Sequence, residues 1–126
     1  MAVLAAVAVA VVWMVLPPTT HTVRIKPVIK PMPGGDTCYA EPFELTGVRR
    51  GDEVVFTNQT TGKVVITFDL GLSGPATIEI GSNSSKSVPV GSQVEENRKY
   101  FYSLSCAPSV VGDARPRIVI RASSEG

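Results

Sequence analysis

Residues 99–109 read Lys99-Tyr100-Phe101-Tyr102-Ser103-Leu104-Ser105-Cys106-Ala107-Pro108-Ser109. Side chains alternate along a strand, so Tyr100, Tyr102, Leu104 and Cys106 share one face and Phe101 and Ser103 the other. The first set is apolar and is expected to point into a core. A short loop follows, and then Arg117-Ile118-Val119-Ile120-Arg121, a second alternating run. The loop between the two holds neither His nor Met. The stretch is therefore an aromatic strand, a cysteine, a loop and a terminal strand.

The same period of two extends back towards the N-terminus, broken by turn residues. Val23, Ile25 and Ile29 alternate with Arg24 and Lys26 in a first strand at 22–30, and Pro27 and Pro31 make it an edge or bent strand. The run Pro31-Met32-Pro33-Gly34-Gly35-Asp36 is a loop, and Cys38 is placed in the same connection. A second strand is expected at 43–48. The turn Arg50-Gly51-Asp52 leads into a third at 53–58. Next comes 63–68, where Val64, Ile66 and Phe68 share a face, then a strand carrying Ala76, Ile78 and Ile80, and a weaker one at 85–90. With 99–106 and 115–121 this makes about eight short strands at spacings of roughly ten to fifteen residues, the pattern of an antiparallel sandwich or barrel. The polar run Gly81-Ser82-Asn83-Ser84-Ser85 is a loop.

A chain of 126 residues makes one domain rather than two. Its net charge of +1 comes from 12 basic and 11 acidic residues scattered along the chain, and without a basic patch no nucleic-acid partner is expected. Arg49-Arg50 reads as a solvated turn. Residues 1–16, MAVLAAVAVAVVWMVL, carry no charge. As a helix they span about 24 Å at 1.5 Å per residue, short of the roughly 30 Å hydrocarbon core. Pro17-Pro18 ends that helix. The segment fits a signal-peptide core or a short membrane anchor, although no Lys or Arg precedes it and no small-x-small site follows it. Arg24, Lys26 and Lys30 on its C-terminal flank would by themselves hold that flank in the cytoplasm. A start upstream of Met1 would account for the missing basic region. The expected division is a signal or anchor helix at 1–16, a linker at 17–21, a β-sandwich at 22–121 and a disordered tail at 122–126. Export is the favoured location, periplasmic or extracellular, with the membrane met through residues 1–16. Two cysteines in an exported chain permit one disulfide; a buried free thiol is the alternative.

Taken in order, the strands resemble a plastocyanin-type cupredoxin, a Greek-key sandwich. The Gly-Gly-Asp loop, Pro42-Phe43-Glu44-Leu45, and the run Arg50-Gly51-Asp52-Glu53-Val54-Val55-Phe56-Thr57-Asn58 are similar to that family's opening, and Lys63-Val64-Val65-Ile66-Thr67-Phe68-Asp69 to its next strand. The resemblance covers about 23–121. It implies parallel pairing of the first and third strands, which separates it from an unrelated immunoglobulin-like adhesive or assembly sandwich. It also implies where copper ligands would stand: one His at Lys63 or Val64, the Cys at Cys106, a second His near Ser109, and an axial Met among 110–114. A blue-copper site takes a thiolate, two imidazoles and usually a weak Met. The chain has one imidazole, His21, near the membrane-proximal end. The expectation is a cupredoxin-like domain with no copper and no other cofactor, zinc being short of ligands as well.

In the family the loop that holds Cys38 passes the copper end. The resemblance thus implies that Cys38 and Cys106 meet there as a disulfide, one covalent bond in place of a metal. It would close about 68 residues and stabilise by roughly 3 to 4 kcal/mol. Inert free thiols are the alternative. A reactive thiol is disfavoured, since no Lys, Arg or His lies within a few residues of Cys106 to lower its pKa.

No catalytic constellation is visible. One His near the chain start serves no triad, Glu95-Glu96 reads as a solvated turn, and no Gly-rich phosphate loop is followed by Lys. Phe101 is expected to make a cross-strand pair rather than a binding platform. Asn58-Gln59-Thr60 and Asn83-Ser84-Ser85 match the glycosylation pattern. The reading is of an exported or membrane-tethered, non-enzymatic binding or structural module with a protein or other envelope component as partner. Its rival is an electron-transfer cupredoxin with atypical ligands that include Cys106.

Overall fold

The computed structural model describes residues 18–72, 74–108 and 115–121. The expected helix at 1–16, the tail at 122–126, Ser109 and the stretch 110–114 lie outside the described residues. Nine strands are present among the described residues: β1 (Thr20–Pro27), β2 (Cys38–Glu41), β3 (Glu44–Val48), β4 (Glu53–Asn58), β5 (Val64–Phe68), β6 (Thr77–Ile80), β7 (Ser85–Pro89), β8 (Lys99–Leu104) and β9 (Arg117–Ile120). They form two sheets, ordered β2-β1-β4-β7 and β3-β9-β8-β5-β6.

Alternation sets what each sheet buries. In β4, Val54, Phe56 and Asn58 point inward, and in β8, Tyr100, Tyr102 and Leu104 do. Phe56, Phe68 and Tyr102 meet between the sheets with ring centroids 5.4 to 5.9 Å apart, two of the three pairs edge-on. Edge-on contact sets the positive ring rim against a neighbour's negative face. Around this trio pack Val23 and Ile25 from β1, Ile66 from β5 and Ile118 and Ile120 from β9, all fully buried.

β1 lies parallel to β4, with Thr20 opposite Glu53 and Ile25 opposite Asn58. This is the pairing of first and third predicted strands that the cupredoxin resemblance implies. β3 is likewise parallel to β9, with a register shift between Leu45 and Val48. Gly47 lies at that irregularity with φ +77°, a left-handed conformation that glycine adopts at no steric cost.

Three expectations change. The chain has a ninth strand, because Cys38–Glu41 pairs antiparallel with β1 instead of forming part of a loop. Four residues between Thr37 and Pro42 are too few to show a period in the sequence, but hydrogen bonding to β1 makes them a strand. Cys38 is consequently buried. β1 begins at Thr20 and ends at Pro27, so it is shifted from 22–30, and Ile29 beyond it is 92% exposed rather than turned inward. Finally, β8 stops at Leu104, so Cys106 sits in the following turn, half-buried, and not on the strand's core face.

Candidate functional site

One end of the sandwich gathers Pro27, Thr37, Cys38, Asn58, the 59–63 loop, Val64 and Cys106. Cys38, the first residue of β2, is disulfide-bonded to Cys106 in the turn after β8, with Cα atoms 5.4 Å apart. The bond is flanked by backbone contacts: Thr37 N–H donates to the Cys106 carbonyl at 2.8 Å, and the Thr37 hydroxyl donates to the same oxygen at 3.3 Å. Ser105 N–H donates to the Val65 carbonyl at 2.9 Å, and Val65 N–H donates to Ser105 Oγ at 2.9 Å, closing the turn onto β5.

Asn58 organises the neighbouring loop. Its side chain is fully buried. Nδ2 donates to the carbonyls of Gly62, Ile80 and Gly81 at 2.8, 2.9 and 3.2 Å. Oδ1 accepts from Thr60 N–H at 2.9 Å and from the Thr60 hydroxyl at 2.7 Å. A buried amide costs free energy unless it is satisfied, and these bonds satisfy it while joining β4 of one sheet to the end of β6 in the other. Beside it, Pro27, Thr37, 60–64 and Cys106 line a depression of about 250 Å³.

The positions at which the cupredoxin resemblance implies ligands can be compared with this geometry. Val64 is buried in the core, and Lys63 is exposed with its ammonium 3.5 Å from Glu79. The Cys106 sulfur is bonded to Cys38. Ser109 and 110–114 fall outside the described residues. His21 is at the opposite end of the sandwich, since Thr20 to Ile25 run alongside Glu53 to Asn58 in the same direction. Among the described residues no cluster of three or more His, Cys, Asp or Glu side chains is placed to hold a metal ion.

Two features go beyond the sequence reading, the first wholly and the second in the arginine partners of the cross-strand pair expected at Phe101. At the opposite end, Asp52 is buried and collects three donors: His21 Nε2 at 2.9 Å, Arg49 N–H at 2.9 Å and Thr19 N–H at 3.1 Å. Burial works against its charge, but the bonds from His21, Thr19 and Arg49 outweigh it and hold the carboxyl below its ordinary value. Asp52 thus fastens the 49–52 turn to the chain entering β1. The signal is a Gly-Asp pair just ahead of a strand, which marks a turn but not its distant partners.

The second is a ladder of arginines and rings on the five-stranded sheet. Phe101 faces away from Tyr100 and Tyr102, as alternation requires, and pairs across the strands with Arg117. The guanidinium carbons of Arg117 and Arg115 lie 5.1 and 5.4 Å from its ring centroid, and Arg117 is also 5.2 Å from that of Phe43. Arg115 donates both arms of its fork to Asp69 at 2.5 and 2.6 Å. That contact, opposed by partial burial, lowers the Asp69 pKa.

No family model matches the chain, and no curated protein does. Solved structures match it by fold. A purple cupredoxin from Nitrosopumilus maritimus superposes with TM-score 0.57 at 14% identity, covering 79% of this chain and 98% of that one. A proline-to-phenylalanine mutant of amicyanin, in its reduced state, gives TM-score 0.53 at 20% identity, covering 81% of this chain and 82% of that one. A methionine-to-alanine mutant of amicyanin, in its Cu(I) form, gives 0.50 at 20% identity, with 85% of each chain covered. With the parallel β1–β4 pair, these likenesses define the protein as a two-sheet sandwich of cupredoxin-like fold. At such identities they speak for the fold alone.

Proposed function

We propose that the chain is an exported or membrane-tethered, non-catalytic binding or structural module in which a disulfide stands where copper sits in cupredoxins. The observation that carries this is the Cys38–Cys106 bond. A sulfur shared with another sulfur is not a thiolate, and thiolate is the ligand that defines a type 1 centre. The rest of the donor set does not fit such a centre either. Val64 offers no lone pair, and the chain's single imidazole lies at the far end against Asp52. A disulfide also persists in an oxidising compartment, which agrees with the uncharged segment at 1–16. Among the described residues the Asp52–His21 pair has no nucleophile as a hydrogen-bond partner, which supports a structural reading over a catalytic one.

The test is copper titration of the full chain, oxidised and reduced, read by metal analysis and visible absorption. Neither state is expected to retain stoichiometric copper or to show an intense copper–thiolate band. Retention of one copper with that band would restore Cys106 as a ligand and make the chain an electron carrier.

A further inference from the structure

We propose that Asn83 is a site of N-linked glycosylation in the exported protein, and that Asn58, in a second copy of the same motif, is closed to it. The proposal rests on the export reading, because the modification belongs to chains that leave the cytoplasm.

The two motifs have the same chemistry and opposite surroundings. Asn58-Gln59-Thr60 places its amide in the core, with Nδ2 donating to three carbonyls and Oδ1 accepting twice. No sugar can be added to that nitrogen while the domain is folded. Asn83-Ser84-Ser85 lies in the turn from β6 to β7, where Asn83, Ser84 and Ser85 are all exposed. Asn83 has φ +57°, a left-handed turn conformation that asparagine tolerates well. The turn is held by Ser84 N–H donating to the Gly81 carbonyl at 3.2 Å and by Asn58 N–H donating to the Ser84 carbonyl at 2.8 Å. The Ser85 hydroxyl, the third group of the motif, lies 2.9 Å from that of Thr57 on the same exposed surface.

Placement supports the assignment. Ser85 pairs with Thr57 and Pro89 with Glu53, so the turn is at the end of β4 opposite to the one where the chain enters β1 beside Glu53. Six strand residues put about 20 Å between the two ends. A glycan there stands at the end of the domain away from the start of β1. The turn also connects two edge strands, β6 of one sheet and β7 of the other. Unpaired strand edges invite pairing with another chain, and a bulky, hydrated group at their junction opposes it.

The step is a group transfer. Asn83 Nδ2 forms a bond to the anomeric carbon of a lipid-linked oligosaccharide and gives up one proton. The bond from that carbon to the lipid's phosphate oxygen breaks, and the phosphate leaves with the electron pair. Nothing is oxidised or reduced.

The experiment is intact mass and peptide mapping of the full chain isolated from its own host's membrane or exported fraction, beside Asn83→Gln, Ser85→Ala and Ser85→Thr. The expected result is a glycan on the peptide carrying Asn83, lost in Asn83→Gln and Ser85→Ala, kept in Ser85→Thr, and absent from the peptide carrying Asn58. An unmodified Asn83 in a chain whose Cys38 and Cys106 are oxidised would overturn the proposal and leave export standing. An unmodified Asn83 with both thiols reduced would overturn export and this proposal with it. A glycan on Asn58 of the folded chain would refute the discrimination between the motifs.

Discussion

Cys38 and Cys106, 68 residues apart in the chain, bring the first residue of β2 against the turn that follows β8, with 5.4 Å between their Cα atoms. One belongs to the four-stranded sheet and the other to the connection leaving the five-stranded sheet. The bond therefore holds the two layers together at the end of the sandwich where the 59–63 loop also sits.

Closing a loop of that length removes conformational freedom from the unfolded chain. Replacing both cysteines with serine is expected to lower unfolding free energy by roughly 4 kcal/mol. Urea unfolding of the oxidised protein and of the double variant checks this. A change below about 1 kcal/mol would mean that the bridge is absent or strained in solution.

Asn58 is the polar counterpart of that bridge. Asn58→Ala removes the acceptor of Thr60 N–H and the amide donor to the Gly62, Ile80 and Gly81 carbonyls, of which Gly62 keeps the Thr60 hydroxyl and Gly81 keeps Ser84 N–H. The expected loss is about 2 to 4 kcal/mol, read from a denaturant midpoint. Asn58→Asp keeps the shape but turns a carboxylate towards carbonyls. Its cost is expected to grow as pH rises and the buried acid is forced to ionise.

Acid should weaken the domain through Asp52 and Asp69, whose folded pKa values lie below the unfolded reference of 3.8. A group with a lowered folded pKa stabilises above its unfolded value and loses that contribution as pH falls through the folded one. Thermal midpoints are therefore expected to be level from about pH 7 to 5 and to fall below about pH 4. Asp69 is half-exposed, so solvent screens its ion pair and most of the effect belongs to Asp52. Asp52→Asn should flatten the acid limb. An unchanged limb would assign it to other carboxylates.

Tyr102 is fully buried, its hydroxyl has no hydrogen-bond partner among the described residues, and burial pushes its pKa well above the ordinary value. Removing an unsatisfied buried hydroxyl while keeping the ring is neutral to favourable. Tyr102→Phe is expected to raise stability by about 1 kcal/mol. Differential scanning calorimetry of the pair decides the sign, and a loss above about 1 kcal/mol would show that the hydroxyl is bonded in solution.

Much of the sandwich is legible in local pattern. Tyr100, Tyr102 and Leu104 alternate against Phe101 and Ser103, and Val64, Ile66 and Phe68 share a face, because a strand's period of two is written residue by residue. That rule places eight strands within a few residues of where they lie. It misses β2, because four residues carry too little period and become a strand only when β1 lies beside them. The site follows the same division. The sequence shows that two cysteines and one histidine are all the thiol and imidazole ligands that the chain possesses, and that two sequons are present. It does not show that Asp52, already bonded to Arg49 within its own turn, gathers Thr19 and His21, which are brought to it by the parallel β1–β4 pairing.

The sequence by itself determined the all-β class, the order of most strands and the inventory of groups available for chemistry. These depend on local alternation and on composition, which need no folded partner. Tertiary structure alone decided that Cys38 is buried at the start of an edge strand, that Cys106 lies beyond the end of another strand, and that Asn58 is sealed while Asn83 is open. Each of those depends on which distant strand lies alongside, and burial is a property of the assembled sheets, not of any one segment.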